Sequence, residues 1–518
     1  MLTFLLLLAT AIFVLYRYYC SVNKKWEQRG IPGPKPEFLF GNLREIWDFD
    51  KPRSLVLRDW TKQFGKIYGF FEGQRPFIVV SDFETINEII VKKFDHFYPR
   101  ARFALQERKD GPSTRIIEAR GPHWKRLRAL GSMAFTNKSL RNILSTVEDS
   151  ATNVVDGMGR HQGEINTLEY FQEYTLDVIC KVALGMRDVK MFNNEYLASC
   201  RGIFYRPLRH PVTVLPSLFP SVVNEIRGLF FLLCKNPYNY SFQYNISAKL
   251  AIVRSPFVVL MEMLKKNVED RKAQRANGLK STGDFIDLFL DAEVDVSEVQ
   301  FGEDSDTARR LSSDEIVGQC LVFLLAGFDT TSNSLAYTTH FLANHDDVQK
   351  KLIDEIDSFL IENETIEVER LNELPYMDAV IKESLRHYPL GSTVVTRECA
   401  KSCEIGGFKF EIGDQIATDT WSMHMDENVW GKYAKEFRPE RWLEESSRPR
   451  AAFQSFGEGP RICLGMRLAY IEEKIALIKL LSRFTIEKTT NTNPIKLLGS
   501  LTVGPEKVMV KLVKRYSV

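Results

Sequence analysis

The chain has no C-x-x-C pair and almost no excess of one charge sign, and each absence removes a class of protein. Its eight cysteines stand at 20, 180, 200, 234, 320, 399, 403 and 463 across 518 residues. That scatter suits reduced intracellular thiols rather than a disulfide framework. Cys399 and Cys403 are close, but without His or further Cys nearby both are read as structural. A formal net charge of +2 offers nothing to nucleic acid. A glycine-rich dinucleotide-binding motif is missing, and so are internal repeats and low-complexity tracts.

Long apolar runs are scarce, and the main one opens the chain. Met1 to Tyr16 is broken only by Thr3 and Thr10, and Arg17, Lys24 and Lys25 follow. The run is slightly short for a span, but Tyr18 and Tyr19 extend it to the interface. A cleaved signal peptide would have a similar core; here no positive charge precedes the run and no small-residue cleavage site follows it. Residues 1–22 are therefore read as one N-terminal transmembrane helix, with the positive charges leaving the body in the cytoplasm. Sequons at Asn137, Asn239, Asn245 and Asn363 would then escape glycosylation. Residues 23–36, with Pro32, Pro34 and Pro36, read as a stiff proline-rich hinge before a body over 37–518.

Within that body, Tyr68 to Ser81 alternates around Gly73 and Pro76 and suits a hairpin. Phe83 to Asn372 carries mostly helical spacing, and β-like stretches return at 392–397, 404–416 and 501–513. The expected architecture is mainly α with a minor β-sheet lobe, as one compact unit of two lobes. Arg201 to Ser247 mixes prolines with aromatics and resists assignment; its polar part, Asn236 to Ser247, reads as an insertion. Ser312 to Ala343 is a long helical pattern opened by a capping box, and over 30 residues at 1.5 Å each give roughly 45 Å. At its centre, Ala326-Gly327-Phe328-Asp329-Thr330-Thr331 sets an acid and hydroxyls in an apolar run, which is costly without a purpose. Gly327 weakens the helix where a local widening could admit a small ligand.

The most specific passage is Phe456-Gly457-Glu458-Gly459-Pro460-Arg461-Ile462-Cys463-Leu464-Gly465. A thiolate needs help to stay deprotonated in a partly apolar site, and the N–H groups of a glycine-lined turn supply it. Arg461 suits a carboxylate such as a haem propionate. The string matches, position for position, the Phe-x-x-Gly-x-Arg-x-Cys-x-Gly signature of the cytochrome P450 family, and the chain resembles that family from about Ile31 to its C-terminus. It is most similar, by Ile31-Pro32-Gly33-Pro34-Lys35-Pro36 and the 456–467 loop, to the microsomal group that oxidises drugs and steroids, with invertebrate members equally compatible.

The resemblance implies the cytochrome P450 fold and haem b with Cys463 as axial ligand and metal ligand. Phe456 and Arg461 of the loop, Trp124 and Arg128 of a Trp-x-x-x-Arg helix, and Arg397 would bind the cofactor. Thr330 and Asp329 match the family's oxygen-activation motif, the hydroxyl bonding oxygen and the acid relaying protons. Glu383, Arg386 and Arg441 match its structural Glu–Arg–Arg network, with Trp442 where Phe is usual. The implied activity inserts one atom of O2 into an apolar small molecule, a xenobiotic, steroid or fatty-acid-like compound. NADPH electrons would arrive through a separate flavoprotein, NADPH–cytochrome reductase, with cytochrome b5 as a further partner and membrane lipid around the anchor, at the endoplasmic reticulum. Substrate choice would fall to Arg100–Gly121, the Phe-rich roof, Leu390–Val395 and Gly499–Leu501. Lys125, Arg126, Arg448 and Arg450 look like exposed cations that an acidic electron donor would meet.

Overall fold

The structure, a computed structural model, describes residues 2–48, 50–102, 110–112, 114–187, 189–205, 217–219, 256–278, 281, 283–299, 310–391, 394–445, 448–499 and 501–515. The helices used below are α1 (Leu2–Asn23), α2 (Lys25–Gln28), α3 (Arg53–Phe64), α4 (Gly121–Met133), α5 (Asn137–Arg160), α6 (Thr167–Leu184), α7 (Glu195–Phe204), α8 (Pro256–Ala276), α9 (Ser313–Asn344), α10 (Pro375–His387) and α11 (Met466–Leu481). The strands are β1 (Ile67–Glu72), β2 (Arg75–Val80), β3 (Glu164–Asn166), β4 (Thr396–Glu398), β5 (Cys403–Ile405), β6 (Phe408–Phe410), β7 (Gln415–Thr418), β8 (Phe484–Lys488), β9 (Leu497–Leu498), β10 (Gly504–Pro505) and β11 (Met509–Lys514). The chain forms two compact units, one from residues 1–108, 206–253 and 392–423, the other from 109–205, 254–391 and 424–518. The expectation of a mainly helical molecule with small sheets holds.

The first unit is built on a sheet of order β1-β2-β7-β4. The expected hairpin is present, with Glu72 opposite Arg75 and Gly73 at φ +67 in its turn. Alternation along β2 divides its side chains between two apolar clusters. Phe77 and Val79 join Tyr68, Phe70 and Trp60, whereas Ile78 and Val80 join Phe71, Ile86 and Phe410. The proline-rich segment lies on this sheet: Gly69 N–H donates to the Pro32 carbonyl at 2.8 Å, and a Cβ at Gly33 would stand 1.9 Å from the Gly69 carbonyl oxygen. Just before it, Trp26 is buried with its indole N–H on the Phe70 carbonyl, and Arg29 grips both oxygens of Asp414.

Residues 2–23 are helical, and several of their apolar side chains face outward, Phe4, Leu7 and Phe13 being more than three-fifths exposed. Among the described residues, however, no helix is long and apolar enough to cross a membrane. The transmembrane reading of 1–22 therefore gains no support from the structure. Arginine and two adjacent tyrosines break the run after Tyr16.

The second unit is organised around α9, a continuous helix of 32 residues. Ser312 caps it: the hydroxyl accepts from Glu315 N–H while the Glu315 carboxylate accepts from Ser312 N–H at 3.0 Å. The helix runs unbroken through Gly327. A Cβ there would meet the Ile179 side chain at 2.8 Å, so the glycine serves close approach of α6. Thr175 on α6 ties the two helices by donating to the Phe328 carbonyl at 2.7 Å. A small sheet of order β3-β11-β8 and the two-stranded β9–β10 ribbon belong to this unit. Strand β3 falls inside the stretch read as helical. At three residues it exists through its pairing with β11, over 340 residues away in sequence. Most of 201–247, including Asn236 to Ser247, Asn239 and Asn245, lies outside the described residues.

Candidate functional site

Phe456 to Gly465 folds back on itself, with Cys463 N–H donating to the Phe456 carbonyl at 2.9 Å. Gly457 and Gly459 take φ of +71 and +72, a conformation that suits glycine. Gly459–Arg461 closes a single 3-10 turn, and α11 starts directly after the loop. Of the described cysteines, Cys463 alone is exposed. Burial pushes the Cys180, Cys320 and Cys399 thiols up to about 12, which disqualifies them as thiolate donors near neutral pH.

Two cations and an indole gather on this loop. Trp124 and Arg128, one turn apart on α4, reach it from one helix face. Arg128 Nη1 donates to the Ile462 carbonyl at 2.6 Å. Burial pulls the Arg128 pKa down, opposed by the charge of Cys463. Arg461 stacks over the Trp124 ring, 4.4 Å from its centroid, and donates to the Ala119 carbonyl at 2.7 Å. The Phe456 ring lies 5.3 Å from that of Tyr470 on α11. Gly131 of α4 lies close to both the loop and α9: a Cβ there would find Leu464 at 3.2 Å and Phe323 at 3.5 Å.

One expected surface cation is not at the surface. Arg126 is buried, pairing with Glu315 at 2.7 Å, because the N-terminus of α9 needs its capping carboxylate neutralised from outside the helix. His123 joins the same carboxylate at 2.9 Å and reaches Asp110 at 3.3 Å. Arg448 is half-buried over the Trp430 and Trp442 rings, while Lys125 and Arg450 are exposed as expected.

At the middle of α9, an otherwise buried helix opens. Ala326 is exposed and Leu325, Gly327 and Thr330 are part-exposed, with Phe328 and Asp329 buried beside them. Thr330 donates its hydroxyl proton to the Ala326 carbonyl at 2.7 Å, so its oxygen lone pairs are left to accept. Asp329 is 1% exposed and accepts from Thr502 Oγ1 at 2.5 Å. Burial pushes its carboxyl up to about 6, opposed by Thr502 and by Asn333 one turn on.

Arg397 belongs to the first unit, on β4. It is buried, its Nη1 donates to the Thr396 carbonyl at 2.8 Å, and its Nε has no hydrogen-bond partner among the described residues. Burial, with Arg100 adding to it, pulls its pKa down to about 9, and no carboxylate among the described residues offsets this. Glu383 is fully buried in the second unit. It accepts from Arg386 at 2.8 and 2.9 Å, from Arg441 at 2.9 Å and from Arg438 N–H at 3.0 Å. Trp442 donates its indole N–H to Glu383 Oε2 at 2.9 Å, so the departure from Phe adds a donor. Neither that bond nor the His123 and Thr502 contacts had a sequence signal, because each joins residues far apart in the chain.

The donor set of the second unit fits a haem on the structure's own terms: an exposed thiol in a glycine turn with two arginines and an indole gathered on the same loop. These features point to haem-thiolate oxidoreductases. The cytochrome P450 family model matches residues 31–512. Three Caenorhabditis elegans chains that carry cytochrome P450 names resemble the protein along its length. CYP13A3 and CYP13A10 are each 40% identical over 99% of both chains, and cyp-13B1 is 36% identical over 96% of this chain and 97% of its own. The chain belongs to the cytochrome P450 family and is a monooxygenase of that family.

Proposed function

We propose that the protein inserts one oxygen atom from O2 into an apolar small molecule, drawing NADPH electrons from a separate flavoprotein reductase, at the endoplasmic reticulum membrane with its body in the cytoplasm. The observation that carries the reading is Cys463, the exposed thiol in a glycine turn with Arg128 and Arg461 at its side. Cys463 would hold the haem iron. Arg128, Arg461 and Trp124 would hold the propionate side, and Arg397 would supply a further cation. When bound, the haem with a thiolate ligand supplies oxygen activation, the sulfur pushing electron density that favours O–O cleavage.

The remaining work falls to the chain's own residues. The exposed surface at Ala326 leaves room beside α9, and Thr330 offers an acceptor there because its proton is committed to the helix. Asp329 sits next to it in a dry setting, with a pKa near neutrality, which suits an acid that must give up a proton and regain it. Electrons have to come from a partner, since the sequence has no dinucleotide motif. A flavoprotein reductase would supply them, with cytochrome b5 as a second donor. Of the segments expected to shape the substrate cavity, most of the Phe-rich roof and residues 103–109, 113, 392–393 and 500 lie outside the described residues.

The test is the difference spectrum of the dithionite-reduced protein with and without carbon monoxide. A far-red Soret band that Cys463→His abolishes is the expected result. A band at the blue-shifted position of histidine or thiol ligation would overturn the reading.

A further inference from the structure

The C-terminal β9–β10 ribbon meets α9 along one stripe of that helix. Asp329, Asn333 and Tyr337 stand four residues apart on a single face. Thr502, in the turn of the ribbon, donates to Asp329 at 2.5 Å. Tyr337 donates its hydroxyl to the Val503 carbonyl at 3.0 Å, and a Cβ on Gly504 would stand 2.7 Å from the Asn333 amide oxygen. Val503 N–H in turn donates to the Leu390 carbonyl at 3.0 Å. The turn is built tightly: Gly499 takes φ +129, and a Cβ there would lie 2.0 Å from the Thr502 carbonyl oxygen. Three successive residues, 502 to 504, are thereby held against three successive turns of α9.

We propose that Thr502 is a positioning residue that fixes the Asp329 carboxylate and so couples the β9–β10 turn to proton delivery at α9. The inference rests on the monooxygenase reading, and it deepens it. Among the described residues Asp329 receives no ion pair, and Thr502 is the one side chain that hydrogen-bonds its carboxylate, Asn333 lying near it without a bond of its own, so a single hydroxyl supplies much of what orients it. The other titratable groups that sense its charge are Cys200 on α7, Tyr205 directly after it, and Tyr337 on α9 itself, and burial pushes all three upward, so they stay neutral. Without the Thr502 donor, the acid loses its fixed rotamer and a hydrogen bond that favours its charged form. Its pKa then rises and its proton no longer faces one direction. Because the same turn is the segment expected to touch substrate, a ligand that shifts the turn would reset Asp329.

Two readouts on the full-length protein test this. The first is the Asp329 titration, followed as the carboxylic C=O stretch in infrared difference spectra that Asp329→Asn removes. Thr502→Val is expected to raise its midpoint by about one pH unit, and Thr502→Ser to restore it. The second is product formed per NADPH in a reconstituted system. Thr502→Val is expected to lower it about tenfold, with the balance as hydrogen peroxide, and to move the pH midpoint of that ratio upward in step with the titration. If Thr502→Val fails to fold, Thr502→Cys, a weak donor of similar size, takes its place. A Thr502→Val protein that is merely less stable, with unaltered titration midpoint and unaltered coupling, overturns the inference. Absence of any turnover in the unsubstituted protein would overturn the monooxygenase reading instead, and the titration would still decide the role of Thr502.

Discussion

At the residue scale, the Glu383 network shows how one side chain changes the satisfaction of a buried charge. Glu383 Oε1 accepts three donors, while Oε2 accepts only Arg386 Nε and the Trp442 indole. These donors hold its pKa well below the usual carboxylate range, although burial alone would raise it. A phenylalanine at 442 keeps the ring and removes the N–H. Trp442→Phe is therefore expected to cost about 1–3 kcal/mol of stability, since hydrogen bonds to charged groups lie in that range. The carbon monoxide spectrum should stay unchanged, because the Trp442 ring packs on Trp430, Phe453 and Arg448 and its N–H serves Glu383, a role in folding. Denaturant unfolding measures the loss, and an unchanged midpoint would show that the indole bond contributes nothing.

At the element scale, the start of α9 is tied to α4, the helix that presents Trp124 and Arg128. His123 sits between two carboxylates, Asp110 and Glu315. Burial alone would lower its pKa, but the hydrogen bonds to both acids outweigh it and the pKa rises. Unfolded His titrates at about 6.5. A folded pKa above that value means a contribution fully present below pH 6.5 and lost as pH rises through the folded pKa, with a slope of up to about 1.4 kcal/mol per pH unit. His123→Gln should therefore destabilise the protein most at mildly acidic pH and converge on the unsubstituted chain under alkaline conditions. Thermal unfolding from pH 5.5 to 9 checks this; a difference constant across that range would refute it. This contact also marks where legibility in the sequence ended. The cysteine loop and the acid–hydroxyl pair were readable because their chemistry is written in consecutive residues. The length and cap of α9 were readable for the same reason. The His123–Glu315 contact spans 192 residues and the Thr502–Asp329 contact 173, and no local pattern encodes either. Arg126 was misjudged as a surface cation because its partner comes from α9. The close approach of Ile179 to Gly327 was not legible either, because Ile179 comes from α6.

At the scale of the whole molecule, the open question is what covers α1. Phe4, Leu6, Leu7, Phe13 and Val14 are each more than half exposed, and Tyr16 continues this surface to Phe38, their ring centroids 5.5 Å apart. Apolar side chains of this size favour leaving water by about 1.5–3 kcal/mol each. The helix has Arg17 and a cluster of tyrosines at its C-terminal end, the residues that prefer the lipid–water interface. Below them, Tyr19 is buried and donates to the Leu218 carbonyl, and Trp26 is seated against β1, so the attachment to the first unit lies C-terminal to the exposed part. Lipid is thus the proposed cover, and α1 the proposed means of holding the protein at the endoplasmic reticulum. Deleting residues 2–17 removes the exposed face and keeps Tyr19 and Trp26. The shortened protein is expected to move from the membrane pellet to the supernatant in carbonate fractionation while retaining the far-red carbon monoxide band. A full-length chain found in the supernatant, or a shortened one still carbonate-resistant in the pellet, would mean that α1 is not what holds the protein to membranes.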